Sequence, residues 1–234
     1  MAASPMPHDL LECLSRSSQG EVWRARDRET GAIVAVKKPG GSAELVSIRH
    51  PQVVRVLECD EEEMVMEWIE GTNLEKLGRL DAASFDALVR QSLSGLAAIH
   101  EAGFLHLDLK PENILQGSRG FVLIDLGSAK ALADAKADLK GSVHFMAPEC
   151  FEGGRLDERT DLYALGCVFY FALTGRLPFE GELAPQVITA HLQHRVEPLE
   201  GVVGEWIGRL MARKPTDRPA SAREALAEYL DGCV

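Results

Sequence analysis

Three short stretches of this chain carry side chains whose types and spacing suit one kind of chemistry. In His106-Leu107-Asp108-Leu109-Lys110-Pro111-Glu112-Asn113 an aspartate and an asparagine stand five residues apart, with a lysine between them. Twelve residues past Asn113, the apolar run Phe121-Val122-Leu123-Ile124 leads into Asp125-Leu126-Gly127. Earlier, Val34-Ala35-Val36-Lys37 ends on a cation. Phosphoryl transfer needs phosphates held by positive charge, a divalent metal held by carboxylate and amide oxygens, and a carboxylate beside the attacking hydroxyl. Each stretch has a plainer reading by itself. A polar loop can cap a helix, Asp-Leu-Gly is a common turn, and a lysine at a strand end is usually a solvated charge. The order of the set is what carries the chemistry.

These residues need elements to position them. Residues 9 to 70 read as short strands joined by turns. Glu21 to Ala25 alternates, residues 26–31 supply a turn, and residues 32–37 form a second strand, so the pair makes a hairpin. On that second strand Ala35 and Lys37 point to the same side. Further strands are expected at 53–57 and 64–69, separated by the acidic turn 60–63. From residue 72 the period becomes helical: Phe85, Leu88, Val89, Leu93, Leu96 and Ile99 make one buried face, and Gly103 suits its C-terminus. A second helix is expected from an N-cap at Thr160-Asp161 to Gly175, and a last one over about 220–230. Strands first and helices second imply an α+β protein, with an N-terminal sheet lobe over about 9–70 and a helical lobe over about 71–232.

Composition narrows the class. Net charge is −11, which disfavours a general nucleic-acid role because phosphate binding needs a positive footprint. The five cysteines, at 13, 59, 150, 167 and 233, are scattered, with no zinc spacing, and read as reduced cytosolic thiols. The start, MAASPMPHDLLE, is not a signal peptide, and the longest uncharged apolar stretch, residues 162–173, is too short for a membrane span, which needs ~20 residues. His191 and His194 could share a helix face, but no Cys or carboxylate cluster stands near them to complete a metal site.

The eight residues 106–113 resemble the catalytic loop of the eukaryotic-like (bacterial-type) Ser/Thr protein kinase family, and Lys110-Pro111-Glu112 matches its Ser/Thr variety. Asp125-Leu126-Gly127 is similar to the family's D-F-G, Val34 to Lys37 to its V-A-I-K strand, and Met146-Ala147-Pro148-Glu149 to its A-P-E. The resemblance covers roughly residues 10 to 232 and implies the bilobal kinase fold, ATP and Mg²⁺. It implies that Asp108 accepts the substrate hydroxyl proton and that Lys110 steadies the γ-phosphate. Asn113 and Asp125 would bind Mg²⁺. Lys37 would reach the α- and β-phosphates, with Val22, Ala35, Met66, Leu115 and the backbone of Glu67 and Ile69 around the adenine. Two structural roles come with it: a buried ion pair of Arg218 with Glu149, and Asp161 holding the catalytic-loop backbone.

The chain departs from the pattern in four places. The family's G-x-G-x-x-G-x-V is here Ser15, Ser17, Gly20 and Val22, so only the last glycine survives. Serines there restrict the backbone and crowd the phosphates, or donate to them. Between Lys37 and His50 there is room for about two helical turns, and Glu44 is the only acid: a partner for Lys37, or a surface acid. Leu107 replaces the arginine that would gather a phosphate, which marks a compact variant without that control. Between Gly127 and Ala147 stand only Ser128 and Ser142, with no Thr or Tyr, and Ser142 fits Ser/Thr specificity. The expected activity is transfer of the ATP γ-phosphate to a protein Ser/Thr hydroxyl, independent of loop phosphorylation unless a regulatory partner switches it. The alternatives are a catalytically weak pseudokinase that scaffolds a partner protein, and a small-molecule kinase, which Lys110 disfavours.

Overall fold

Alternation of apolar residues folds the first part of the chain into a five-stranded antiparallel sheet, β1 (His8–Ser17), β2 (Gly20–Asp27), β3 (Ile33–Lys38), β4 (Val56–Cys59) and β5 (Met64–Glu67), in the order β1-β2-β3-β5-β4. The computed structural model describes residues 8–17, 20–136, 142–193 and 196–232. The expected hairpin is β2–β3. Its turn is fixed by Asp27, whose Oδ1 accepts from the Thr30 N–H at 2.6 Å and the Thr30 hydroxyl at 2.7 Å. Those bonds hold the Asp27 carboxyl below its usual range. Ala25, Val34, Val36 and Val65 form a small core on one face of the sheet, while Ala35 and Lys37 lie on the other.

Two expectations for this lobe change. The strand placed at 53–57 begins at Val56, because Val53 and Val54 pair with the other lobe: the Val54 N–H donates to the Leu123 carbonyl at 2.8 Å. The segment after Lys37 makes a single 3₁₀ turn, Ala43–Ser47, rather than two α-helical turns. Its first residues are already committed, since Gly40 donates to Glu61 O at 3.2 Å and Gly41 to Asp60 O at 2.8 Å in the β4–β5 turn. A side chain at Gly40 would strike that turn's backbone. Leu45 and Ile48 are buried and join the main core.

The second lobe is helical. A short strand β6 (Gly71–Asn73) and helix α1 (Leu74–Leu77) lead to α2 (Ala82–Glu101), capped by Asp81, whose Oδ1 accepts from Ser84 N–H at 2.7 Å. The six apolar positions predicted to form its face are all buried. Gly103, at φ 83°, closes its C-terminus. Then come β7 (Phe104–Leu105), β8 (Ile114–Gly117), β9 (Gly120–Leu123) and β10 (Lys130–Ala131), with β6-β8-β9 forming one small sheet and β7 pairing with β10. The remaining helices are α3 (Pro148–Phe151), α4 (Glu158–Thr174), α5 (Ala184–Gln193), α6 (Gly201–Leu210) and α7 (Ala222–Gly232).

Helix α4 is buried nearly all round. Its N-cap is Asp157, whose carboxylate accepts from Arg159 N–H at 2.9 Å, and not Thr160 or Asp161. Both of those are buried in the first turn, where their oxygens serve other partners. Gly166 lets α6 approach, because a side chain there would meet Met211 and Leu210 within 3 Å. Among the described residues no helix is long and apolar enough to cross a membrane. Residues 1–7, which carry most of the reading of the N-terminus, as well as His194 and Cys233, lie outside the described residues.

Candidate active site

A cleft of about 440 Å³ opens between the sheet and the helical lobe, within the size range of small-molecule sites. Its roof is Ser15, Val22 and Ala35, its rear wall Met66, Glu67 and Ile69, and its floor Asn113, Leu115 and Asp125. Trp68, Asn73, Lys76 and Glu112 complete the mouth, and Val54 and Ile124 the interior. Cross-strand register explains the roof. Ser15 sits opposite Val22, and Val22 opposite Lys37, so the three share one row and one face. Gly20, at φ 122°, lies so close to the Lys38 carbonyl that a side chain would collide with it. Ser15 and Ser17 need no such freedom, for neither adopts a positive φ. Both serines thus stand in paired strand at the roof.

On the floor, the 106–113 segment is fixed from beneath. The fully buried Asp161 accepts the His106 N–H at 2.8 Å on Oδ2 and the Leu107 N–H at 2.9 Å on Oδ1. These bonds hold Leu107 at φ 61°, a left-handed conformation that a leucine seldom adopts. His100, in the last turn of α2, adds Nε2 to the same Asp161 Oδ2 at 2.9 Å, and Glu158 lies 3.6 Å from its Nδ1. Burial works against the charged imidazole, but the hydrogen bond to Asp161 and the nearby Glu158 carboxylate prevail and push its pKa up to about 9. Burial likewise raises the Asp161 carboxyl, and the bond from His100 and its charge outweigh this and hold it below the usual range. No sequence pattern marked His100, because its partner is 61 positions away.

The loop then presents three side chains together. Lys110 Nζ is 2.9 Å from Asp108 Oδ2. The Asn113 amide NH₂ donates to the Asp108 carbonyl at 2.8 Å and to Asp108 Oδ2 at 2.9 Å, which leaves the Asn113 amide oxygen as its atom for a cation. His106 ties this loop to the next element. Its Nε2 faces the Ile124 carbonyl at 3.1 Å, which can only accept, so Nδ1 is the acceptor for the Asp108 N–H at 3.3 Å.

Asp125 follows at φ 63°, also left-handed, with Oδ1 accepting the Gly127 N–H at 3.2 Å. The same Oδ1 forms an ion pair with the Lys37 ammonium. Burial raises the Asp125 carboxyl, yet the adjacent Lys37 charge outweighs it and holds the group below its usual range. A side chain at Gly127 would push the end of Lys37 away from Asp125. Glu44 does not join them. It is exposed on the 3₁₀ turn, and no ion pair links it to Lys37 among the described residues. The turn is too short to carry an acid inward.

Behind the floor, Arg218 bonds Glu149 in a two-pronged pair, NH1 to Oε1 at 2.7 Å and NH2 to Oε2 at 2.9 Å, with both residues buried. Thr160 Oγ1 donates to the same Glu149 Oε1 at 3.0 Å. His191 is structural: it is fully buried, with Nδ1 2.8 Å from the Tyr163 hydroxyl.

Two lobes enclosing a cleft, with a lysine from one and a paired Asp and Asn loop from the other, match a known family. The protein kinase domain family aligns with residues 10–230. The chain belongs to the protein kinase family. Its sheet lobe and helical lobe are the bilobal protein kinase fold. The kinase domain is 32% identical to the serine/threonine-protein kinase pkn2 of Myxococcus xanthus, over 94% of this chain and 32% of that one. It is 32% identical to the serine/threonine-protein kinase PknD of Mycobacterium tuberculosis, over 92% of this chain and 38% of that one. The serine/threonine-protein kinase PrkC of Bacillus subtilis is 36% identical over 63% of this chain and 25% of its own length. The chain spans about a third of the length of the curated relatives it matches.

Proposed function

We propose that this kinase domain transfers the γ-phosphate of ATP to a serine or threonine hydroxyl of a protein. One observation carries the reading. Asp108 lines a recess beside the 142–147 segment, with Lys110 bonded to it and with Asn113 of the cleft floor bonded to it as well, while Lys37 pairs with Asp125 of that floor. Asp108 takes the proton of the attacking hydroxyl as its oxygen bonds to the γ-phosphorus and the bond to the β-phosphate oxygen breaks. Lys110 offsets negative charge on the phosphoryl group in transit. Lys37 neutralises the α- and β-phosphates, and Val22, Ala35, Met66 and Leu115 enclose the base, with the backbone of Glu67 and Ile69 bonding its edge. Ser15, on the roof, and Ser17, opposite Gly20, would offer their hydroxyls to the phosphates.

The donor set suits Mg²⁺. That ion is usually bound through one or two carboxylates together with substrate phosphates rather than by a complete protein cage. Among the described residues no cluster of three or more His, Cys, Asp or Glu could hold a metal alone. Asp125 and the Asn113 amide oxygen would hold it, and bound there it supplies neutralisation of phosphate charge.

Competence without loop phosphorylation is part of the proposal. Leu107 offers no cation for a phosphate. The segment is instead held by the pairing of β10 with β7, by the Leu132 N–H to Gly103 O at 2.8 Å, and by Glu149. The four described cysteines are unbridged, which fits a reducing compartment, and we place the domain in the cytoplasm. Substrate proteins, and any regulatory partner, are read by the acceptor side.

A second reading is favoured by Glu44 and the single 3₁₀ turn: a weakly active domain that binds nucleotide, or only a partner protein. Labelled ATP given to the native chain and to Asp108→Asn decides between them. The first reading expects labelling of protein Ser/Thr and a loss of about 100-fold or more in the variant. Thermal stabilisation by ATP and Mg²⁺ without labelling favours the weak module, and label persisting in Asp108→Asn removes Asp108 as the base.

A further inference from the structure

The acceptor side of the cleft is walled by a segment whose sequence lacks the usual means of holding it. Ser142, Phe145 and Met146 line a small recess together with Asp108 and Lys110. Leu107 stands where an arginine would clamp a phosphate on this wall, and it offers no cation. Two other ties do so. At the far end of the segment, Glu149 is gripped by Arg218. At the near end, the half-buried His144 places Nδ1 3.2 Å from the backbone carbonyl of Phe179, in the connection between α4 and α5. A carbonyl only accepts, so Nδ1 carries the proton and donates.

Phe179 is a firm point to hold. It is 1% exposed, and its ring centroid lies 4.1 Å from that of His191. His191 bonds the Tyr163 hydroxyl at 2.8 Å, and the Arg218 guanidinium lies 4.8 Å over the Tyr163 ring. Both ties therefore reach one buried cluster of α4 and α5. Between them the wall is short and closed by its own turn, Phe145 N–H to Ser142 O at 3.2 Å.

We propose that His144 is a positioning residue for the protein acceptor: by donating to the Phe179 carbonyl it holds the 142–147 wall beside Asp108 without any phosphate on the segment. This rests on the phosphoryl-transfer reading above, and it assigns His144 no contact with the reacting atoms. One neutral hydrogen bond sets the size of the effect. The two δ atoms of an asparagine include a donor at the place of His144 Nδ1, so His144→Asn can keep the tie and His144→Ala cannot.

The test uses the full chain with dephosphorylated casein as acceptor, and hydrogen–deuterium exchange over residues 142–147 as a readout that needs no turnover. His144→Ala is expected to raise the KM for casein about 3- to 10-fold with little change in kcat. The affinity for a non-hydrolysable ATP analogue should stay the same, and amide exchange at 142–147 should speed up by a similar factor. His144→Asn should restore both. Unchanged exchange and an unchanged casein KM in His144→Ala would overturn the proposal, as would an equal loss of nucleotide affinity, which points to a general structural fault. If the native chain labels no casein, the phosphoryl-transfer reading fails, and exchange alone then decides whether His144 anchors the wall.

Discussion

Beneath the floor of the cleft one buried carboxylate, Asp161, takes two backbone N–H groups and a histidine, and the side chains of Lys110 and Asn113 both bond that of Asp108. Over the roof, Lys37 has a single ion-pair partner among the described residues, Asp125, which itself belongs to the floor, and the segment that follows Lys37 makes one 3₁₀ turn. The floor is thus fixed by several bonds that constrain the same atoms, while the roof is held mainly by strand pairing. The contrast teaches where this domain can give way. Loss of one floor bond leaves buried charge without a partner, which is strongly destabilising. Loss of one roof contact changes affinity by small factors.

The largest effect should come from Asp161→Ala. It strands the Leu107 and His106 N–H groups and the buried His100, and removes what holds Leu107 at positive φ. A loss of about 3–5 kcal/mol in unfolding free energy is expected, read by urea titration, with phosphoryl transfer falling further than stability explains. A loss under about 1 kcal/mol would show that the floor is no firmer than the roof.

The same network sets a pH limit. His100 has its pKa raised from 6.5 to about 9, so its stabilising contribution is complete below pH 6.5 and disappears as pH rises through 9. Asp161 and Glu158 are lowered, so theirs is complete above the usual carboxylate range and is lost as pH falls. Stability from the cluster is greatest near pH 5 to 6.5. Between pH 6.5 and 9.5 the native chain should lose on the order of 3 kcal/mol that His100→Gln, which keeps a donor for Asp161 without titrating, does not lose. Parallel pH curves for the two proteins would remove His100 from the network.

The difference between floor and roof also explains what was legible. The floor motifs are contiguous: 106–113 and 125–127 each place their chemistry within a few residues, and their order along the chain and the family resemblance group them. The β2–β3 hairpin and the long helix α2 follow from unbroken periodicity. Helices α5 and α6 were not, because Pro185 and the β-branched Ile188 and Thr189 weaken one pattern, and Gly201, Gly204 and Gly208 the other. Burial against α3 and α4 overrides those propensities. Glu44 was named by elimination among twelve residues, and the backbone bonds of Gly40 and Gly41 that shorten its helix lie across the chain, where no local pattern reveals them. The cap of α4 lies three to four residues before the expected Thr160-Asp161 for a related reason. Asp161 is a good capping residue by type, but its carboxylate is needed by residues 106 and 107.

The smallest effect is the one that tests the roof. Ser15 and Ser17 occupy positions where glycine would free the backbone, yet both stand in paired strand at ordinary angles, in register with Val22 and Gly20. Replacing both by glycine should therefore lower stability by about 0.5–1 kcal/mol per site through added freedom of the unfolded chain, a shift of a few degrees in melting temperature. It should also tighten ATP-analogue binding by roughly 2- to 5-fold, because backbone N–H groups can then approach the phosphates without side chains between. Isothermal titration at fixed Mg²⁺ reads the second effect. If affinity falls instead, the serine hydroxyls are themselves phosphate donors, and the roof holds nucleotide by side chains where glycine-rich relatives would use the backbone.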